Sequence, residues 1–309
     1  MLQSGCNQLV AACALLALTT AAAREAELKP ALVRRPIQAE PAEGFKPQSG
    51  RSAELGEQLL ADCRDGHLEQ FDLLSAGAIA SGVNSSTELA QLAELYGPIR
   101  KSILDNLPAG TGHERLRAIH AAAHRCVLTG LYNESASDLR GVFASGDFNC
   151  LTSLAILWDL CQAAGLDVQG RLVRGHVNLT YKGAGGQSWA IEPGTRQWFS
   201  KPLADETSGR GLSQVELIGK FFYNRGIEQL HARKYETGIE LLRTSLQLDP
   251  ADGDARTNLA AGLNNWAVER CREQRFSEAA ALIEQGLTVD PHFAPLVANE
   301  QLVRGKLGR

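Results

Sequence analysis

Three residues of this chain, Cys150, His176 and Glu192, have the side chains and the settings that thiol chemistry needs. A nucleophilic thiol is best placed at a helix N-terminus, where unpaired backbone N–H groups and the positive dipole end stabilise a thiolate and an oxyanion. Cys150 follows the turn Gly146-Asp-Phe-Asn and opens a helix whose stripe of Leu154, Leu157, Trp158 and Cys161 turns inward. Cys161, within that stripe, reads as core packing. The base and its orienting acid come from an expected antiparallel hairpin, His176 to Tyr181 and Gln187 to Glu192, closed by Lys182-Gly-Ala-Gly-Gly186. With Tyr181 facing Gln187, His176 lies directly opposite Glu192, and cross-strand partners sit roughly 5 Å apart at Cβ. Alternation puts His176, Asn178, Ala190 and Glu192 on one side, and Val177, Leu179, Tyr181, Trp189 and Ile191 on the other. A one-residue slip of register would separate His176 from Glu192. Gly175 permits close backbone approach beside the histidine.

The elements that must position these groups fall into three stretches. Apolar residues at i, i+3 and i+4 run through Leu55 to Cys63, Ser86 to Tyr96 and His113 to Leu128, so the N-terminal half reads as helical. After the Cys150 helix, which ends at Gly165, β-like segments occupy Val168 to Arg174, His176 to Tyr181 and Ser188 to Glu192. A composition shift near Thr207 to Gly211 opens an all-helical region with an internal repeat. Gly226, Tyr235, Leu242 and Pro250 are matched at the same spacings by Ala267, Phe276, Ile283 and Pro291, with Ala279 a further small residue. This pattern resembles tetratricopeptide repeats. Its period exceeds the standard 34 residues by about two helical turns, assigned to a lengthened helix through Ala255 to Gln274. Two repeats and a last helix near Leu296 to Lys306 are too few to bury a continuous core alone, so they are expected to dock on the preceding domain.

Composition narrows the function. The 309 residues carry 31 Lys and Arg against 35 Asp and Glu, which excludes the basic footprint of a nucleic-acid binder. The apolar stretch Leu9 to Ala23 is short of the roughly 20 residues of a spanning helix, and residues 1–23, with an apolar middle and Ala21-Ala-Ala23 at the end, read as a secretory signal peptide. An exported, periplasmic or secreted protein is therefore expected, with an uncleaved anchor or a cytoplasmic chain as alternatives. Residues 24–52 carry prolines and charges without periodicity and read as a disordered linker. Domain bounds follow as 53–206 and 207–309. The seven cysteines are too few and too irregular for a disulfide framework or a zinc knuckle. His120 and His124 stand at i, i+4 but lack a third ligand, so no metal is expected, and the mechanism needs no cofactor. The glycine-rich Gly183 to Gly186 run is a hairpin loop without the Lys-Ser/Thr of a phosphate cradle. The triplets at Asn84, Asn133 and Asn178 matter only in a eukaryotic secretory pathway.

The run Gly146-Asp-Phe-Asn-Cys-Leu-Thr-Ser-Leu, followed by Ala164-Gly-Leu, Gly175-His-Val and Trp189-Ala-Ile-Glu-Pro, resembles the transglutaminase-like superfamily. The lead-in Ala76-Gly-Ala-Ile-Ala-Ser-Gly-Val and His124-Arg-Cys-Val-Leu-Thr-Gly-Leu-Tyr resembles bacterial members that end in tetratricopeptide repeats; together the match covers roughly residues 65 to 300. The resemblance implies an α+β, papain-like core with a helical N-terminal half and all-α repeats. It also implies Cys150 as nucleophile, His176 as general base and acid, and Glu192 as orienting acid. The acid here is Glu where the superfamily more often has Asp. No Gln or Trp upstream completes an oxyanion hole, for which Asn149 is the substitute. The expected function is peptide or amide hydrolysis, or transglutaminase-type acyl transfer, on a peptide or protein substrate. The alternative is a non-catalytic scaffold holding a peptide or protein partner in the cleft and repeats.

Overall fold

The computed structural model describes residues 52–173, 175–203 and 209–308. The signal peptide and nearly all of the linker read above lie outside the described residues, as does the join between residues 206 and 207.

Helix α1 (Ser52–Asp62) leads into α2 (Leu73–Ser81), α3 (Ser86–Asp105), α4 (Gly112–Cys126) and α5 (Leu139–Ser145). Side-chain caps start them: Asp72 accepts from the N–H of Ser75, Ser85 from that of Glu88, and Thr111 forms a reciprocal capping box with Glu114. These helices surround α6 (Cys150–Ala163), in which every residue from Leu151 to Cys161 is buried. A helix apolar all round is a central helix. Even its Asp159 is provided for, accepting from the Tyr96 hydroxyl and the Arg100 Nε at 2.8 Å each.

One face of α6 is covered by a small antiparallel sheet: β1 (Val168–Val173), β2 (His176–Lys182), β3 (Ser188–Ile191), β4 (Ser200–Pro202) and β5 (Arg210–Leu212), in the spatial order β4-β3-β2-β1-β5. Gly170 of β1 is pressed so closely on Trp158 that a Cβ there would lie 2.6 Å from the indole. Gly170 pairs with Leu179, so the side carrying Val177, Leu179, Tyr181 and Ile191 faces the helix and is buried.

Then α7 (Gln214–His231), α8 (Tyr235–Leu248), α9 (Gly253–Arg272), α10 (Phe276–Val289) and α11 (Ala294–Leu307) form antiparallel neighbours. Helix α7 belongs to two cores at once. Its Val215, Leu217, Ile218, Phe221 and Phe222 join the core around α6, while Ile227 and Leu230 join the core of α8 to α11. The small-residue rule of the repeat has a steric origin. At the α7–α8 crossing a Cβ on Gly226 would meet Leu242 at 2.9 Å, and one on Gly238 would meet the Gly226 carbonyl at 2.9 Å. The turns of the two copies also match: Arg233 and Gln274, each two residues before the aromatic, take the left-handed conformation with φ of 58° and 61°. The lengthened helix is α9.

The papain-like α+β core implied by the resemblance is corrected by this architecture. Of the described residues 63% are helical, in eleven α-helices, and the sheet is one small five-stranded layer. The helical C-terminal part fits all-α repeats. The reason is in the spacing of apolar residues. The 3.6-residue period governs both ends of the chain, and two-residue alternation is confined to 168–212, where β4 and β5 are three residues each. Among the described residues no helix is long and apolar enough to cross a membrane.

Candidate functional site

Cys150 is carried to its position by a backbone-to-backbone contact. Segment 129–133 runs beside 146–148: the Gly130 N–H donates to the Gly146 carbonyl (2.9 Å), the Phe148 N–H to Leu131 (3.2 Å), and the Asn133 N–H to Phe148 (2.8 Å). Gly146 closes α5 at φ 79°, and a Cβ there would sit 2.2 Å from the Thr129 hydroxyl and 2.7 Å from the Gly130 nitrogen. Only glycine meets both demands. Asn149 then caps α6, its Oδ1 accepting from the N–H groups of Leu151 and Thr152 at 3.0 Å each. The Thr152 hydroxyl accepts from the Asn149 N–H at 2.9 Å. Among the described residues no group accepts the N–H of Cys150, and its side chain is half-buried.

His176 starts β2, and Glu192 falls one residue beyond β3. The register pairs Leu179 with Ile191, Thr180 with Ala190 and Tyr181 with Trp189, so Tyr181 does not face Gln187 and His176 is not directly opposite Glu192. The difference from the expected pairing is two positions. An even shift keeps every side chain on its face and makes His176 and Glu192 diagonal neighbours, within reach of long side chains. The His176 Nε2 lies 2.7 Å from the Glu192 Oε2, and the other carboxylate oxygen accepts from the Gly194 N–H at 3.0 Å. With Nε2 committed, Nδ1 is the nitrogen left to serve the thiol. Hydrogen bonding to Cys150, and next to Glu192, raises the His176 imidazole to about 10.

The turn bearing Glu192 is held from below by α4. The His124 Nε2–H donates to the Pro193 carbonyl at 3.0 Å, His120 lies against the backbone of Glu192 and Thr195, and the Arg196 guanidinium donates to the Thr129 and Gly130 carbonyls. The two histidine rings are 4.6 Å apart and buried, and each keeps one nitrogen, His120 Nε2 and His124 Nδ1, without a partner. Burial holds both below the usual histidine range, His124 at about 4, with the neighbouring His120 lowering it further.

Protein-family models, curated proteins and solved structures were all compared with the chain. None matches. Among the described residues no group of three or more His, Cys, Asp or Glu side chains could hold a metal ion.

The structure thus brings Cys150, His176 and Glu192 together. It places Asn149 beside them as a cap rather than as a free donor: the residue is 4% exposed, its oxygen is taken by two backbone N–H groups, and its Nδ2 donates to the Glu134 carbonyl at 3.2 Å. The residue that sequence reasoning missed is Tyr132, whose phenol lies close enough to the Cys150 side chain for the two to interact. Its one local signal was an aromatic between Gly130 and Asn133, which points nowhere until the 129–133 and 146–148 segments are seen to pair.

The histidines give the site an acid limit. A group held below its unfolded value stabilises the fold above that value, near 6.5, and the contribution is lost as pH falls through the folded one, near 4 for His124. His124→Gln, which can still donate to Pro193, should flatten the fall of unfolding free energy between pH 6.5 and 4 by up to one proton. Denaturant titrations at a series of pH values measure this, and an unchanged slope would show that His124 titrates normally. His176 has the opposite sign: its contribution is complete below about 6.5 and is lost as pH rises through about 10.

Proposed function

We propose that this protein carries out thiol-dependent acyl chemistry on a peptide or amide carbonyl, with Cys150 as nucleophile, His176 as proton carrier and Glu192 as its orienting acid. The observation that carries the reading is the imidazole held between Cys150 and Glu192, its Nε2 2.7 Å from the Glu192 carboxylate. His176 takes the Cys150 thiol proton as the attack begins and passes it to the leaving group. The Cys150 Sγ attacks the carbonyl carbon, an S–C bond forms, the C–N bond breaks, and the departing amine takes a proton from His176. Water or a second amine then attacks the acyl-enzyme, gives its proton back to His176, and releases the sulfur. Glu192 fixes the ring's orientation and stabilises the imidazolium. The rim is apolar: Leu131 is 76% exposed, and Phe199, whose carbonyl accepts from the Glu192 N–H, is 55% exposed. That suits a substrate with an apolar side chain near the reacting carbonyl.

The test is the pH dependence of iodoacetamide alkylation at Cys150, resolved from the other cysteines by peptide mass spectrometry. Wild type should react fast below pH 7, and His176→Ala should lose about 10- to 100-fold there, because the cation that stabilises a thiolate is gone. The same profile in both proteins, rising only near the 8.5 of a free thiol, would remove the catalytic reading and leave the binding scaffold.

A further inference from the structure

Attack on a carbonyl places a negative charge on its oxygen, and one backbone N–H is a thin provision for it, since a second directed donor is usually worth a large share of the rate. Among the described residues, three side chains beside Cys150 have their donors engaged. Asn149 spends its amide on the cap and on Glu134; the Ser153 hydroxyl donates to the Asn149 carbonyl at 2.6 Å; His176 is committed to Cys150 and Glu192. Tyr132 remains. Its backbone is fixed by the bridge to Phe148, two residues ahead of Cys150, and its ring stands edge-on to the Phe148 ring with centroids 6.0 Å apart. On the other flank a Cβ on Gly194 would lie 3.0 Å from the Tyr132 ring, so the phenol is wedged between the run into the nucleophile and the turn that carries Glu192.

We propose that the Tyr132 hydroxyl is the second donor of the oxyanion hole, acting with the backbone N–H of Cys150. The inference rests on the reading of Cys150 as nucleophile. In the free protein the hydroxyl lies beside the sulfur. When the sulfur's electron pair forms the S–C bond, the O–H turns to the oxygen on the same carbon. Burial and the neighbouring Cys150 push the phenol above its ordinary range, which keeps it a donor across the working pH. Tyr132 is 44% exposed, so the residue is reachable from solvent.

Two reagents separate this role from thiol activation. Iodoacetamide reacts at a saturated carbon and generates no oxyanion; p-nitrophenyl acetate acylates through a tetrahedral intermediate that does. Tyr132→Phe should leave alkylation of Cys150 within about threefold of wild type while slowing its acylation by about 100-fold, the scale of losing one oxyanion donor. Alkylation in the same sample reports that the variant is folded and its triad intact. Equal losses with both reagents, or acylation within threefold of wild type, would overturn the inference alone. A wild-type Cys150 that p-nitrophenyl acetate does not acylate would overturn the parent reading, and this one with it.

Discussion

Cys150→Ser is expected to slow acylation of the protein by an activated ester at least about a thousand-fold, close to 4 kcal/mol at the transition state. The exchange of sulfur for oxygen is nearly isosteric at a half-buried first helical position, and serine is well tolerated there, so the unfolding midpoint should move little. What changes is the proton. A serine hydroxyl is a far weaker acid than a thiol, so His176 draws its proton much less readily. The comparison requires intact-protein mass spectra of acyl adduct against time for both proteins. A loss smaller than tenfold would mean that acylation occurs elsewhere or that the thiol is incidental.

The largest stability effect is expected at Trp158. It lies in the middle of α6, is 5% exposed, and fills the space against which Gly170 of β1 is pressed. Trp158→Ala removes a large side chain from a position that glycine packing has shaped around it, so the neighbours cannot close the gap without moving the sheet. A loss of about 3–5 kcal/mol is expected. Urea titration would measure it, and a loss below about 1 kcal/mol would show that the sheet does close onto the helix. Because β1 and β2 move with that contact, His176 should drift from Cys150, and alkylation of Cys150 in the variant should lose its low-pH advantage even where the protein remains folded.

Much of this site is legible from residue order. The turn before Cys150, the capping Asn149 and the apolar stripe of α6 mark the start and the depth of one helix, and alternation assigns the faces of β2 and β3. Alternation cannot distinguish registers two residues apart, since both keep each side chain on its face. A hairpin read from alternation alone can therefore lie two positions from the true pairing, and here the histidine and the glutamate still meet. The loop accounts for the shift: Lys182 pairs with Ser188 and the Gly183 N–H donates to the Gln187 carbonyl, so β2 runs one residue further and β3 begins one residue later than in the expected hairpin. Tyr132 and the His120–His124 pair escaped because their roles come from segments distant in sequence lying together. A helical pair at i, i+4 says nothing of the turn it supports. The α+β expectation failed for a different reason: recognisable strings around a cysteine and a histidine say little about how many helices flank them. The repeat was clearer, because its constraint is steric and recurs, at Gly226 in one copy and at Ala267 in the next.

A last consequence concerns α6, buried from Leu151 to Cys161 without a break. Amides in such a segment exchange with solvent only when the surrounding core opens as a whole. The nucleophile is thus tethered to the slowest-exchanging part of the polypeptide, while its partners His176 and Glu192 sit on strand ends that open more readily. Warming should therefore disconnect the imidazole from the sulfur before the sulfur itself is released, so that the site loses its chemistry reversibly, at temperatures where the backbone carrying Cys150 is still closed to deuterium.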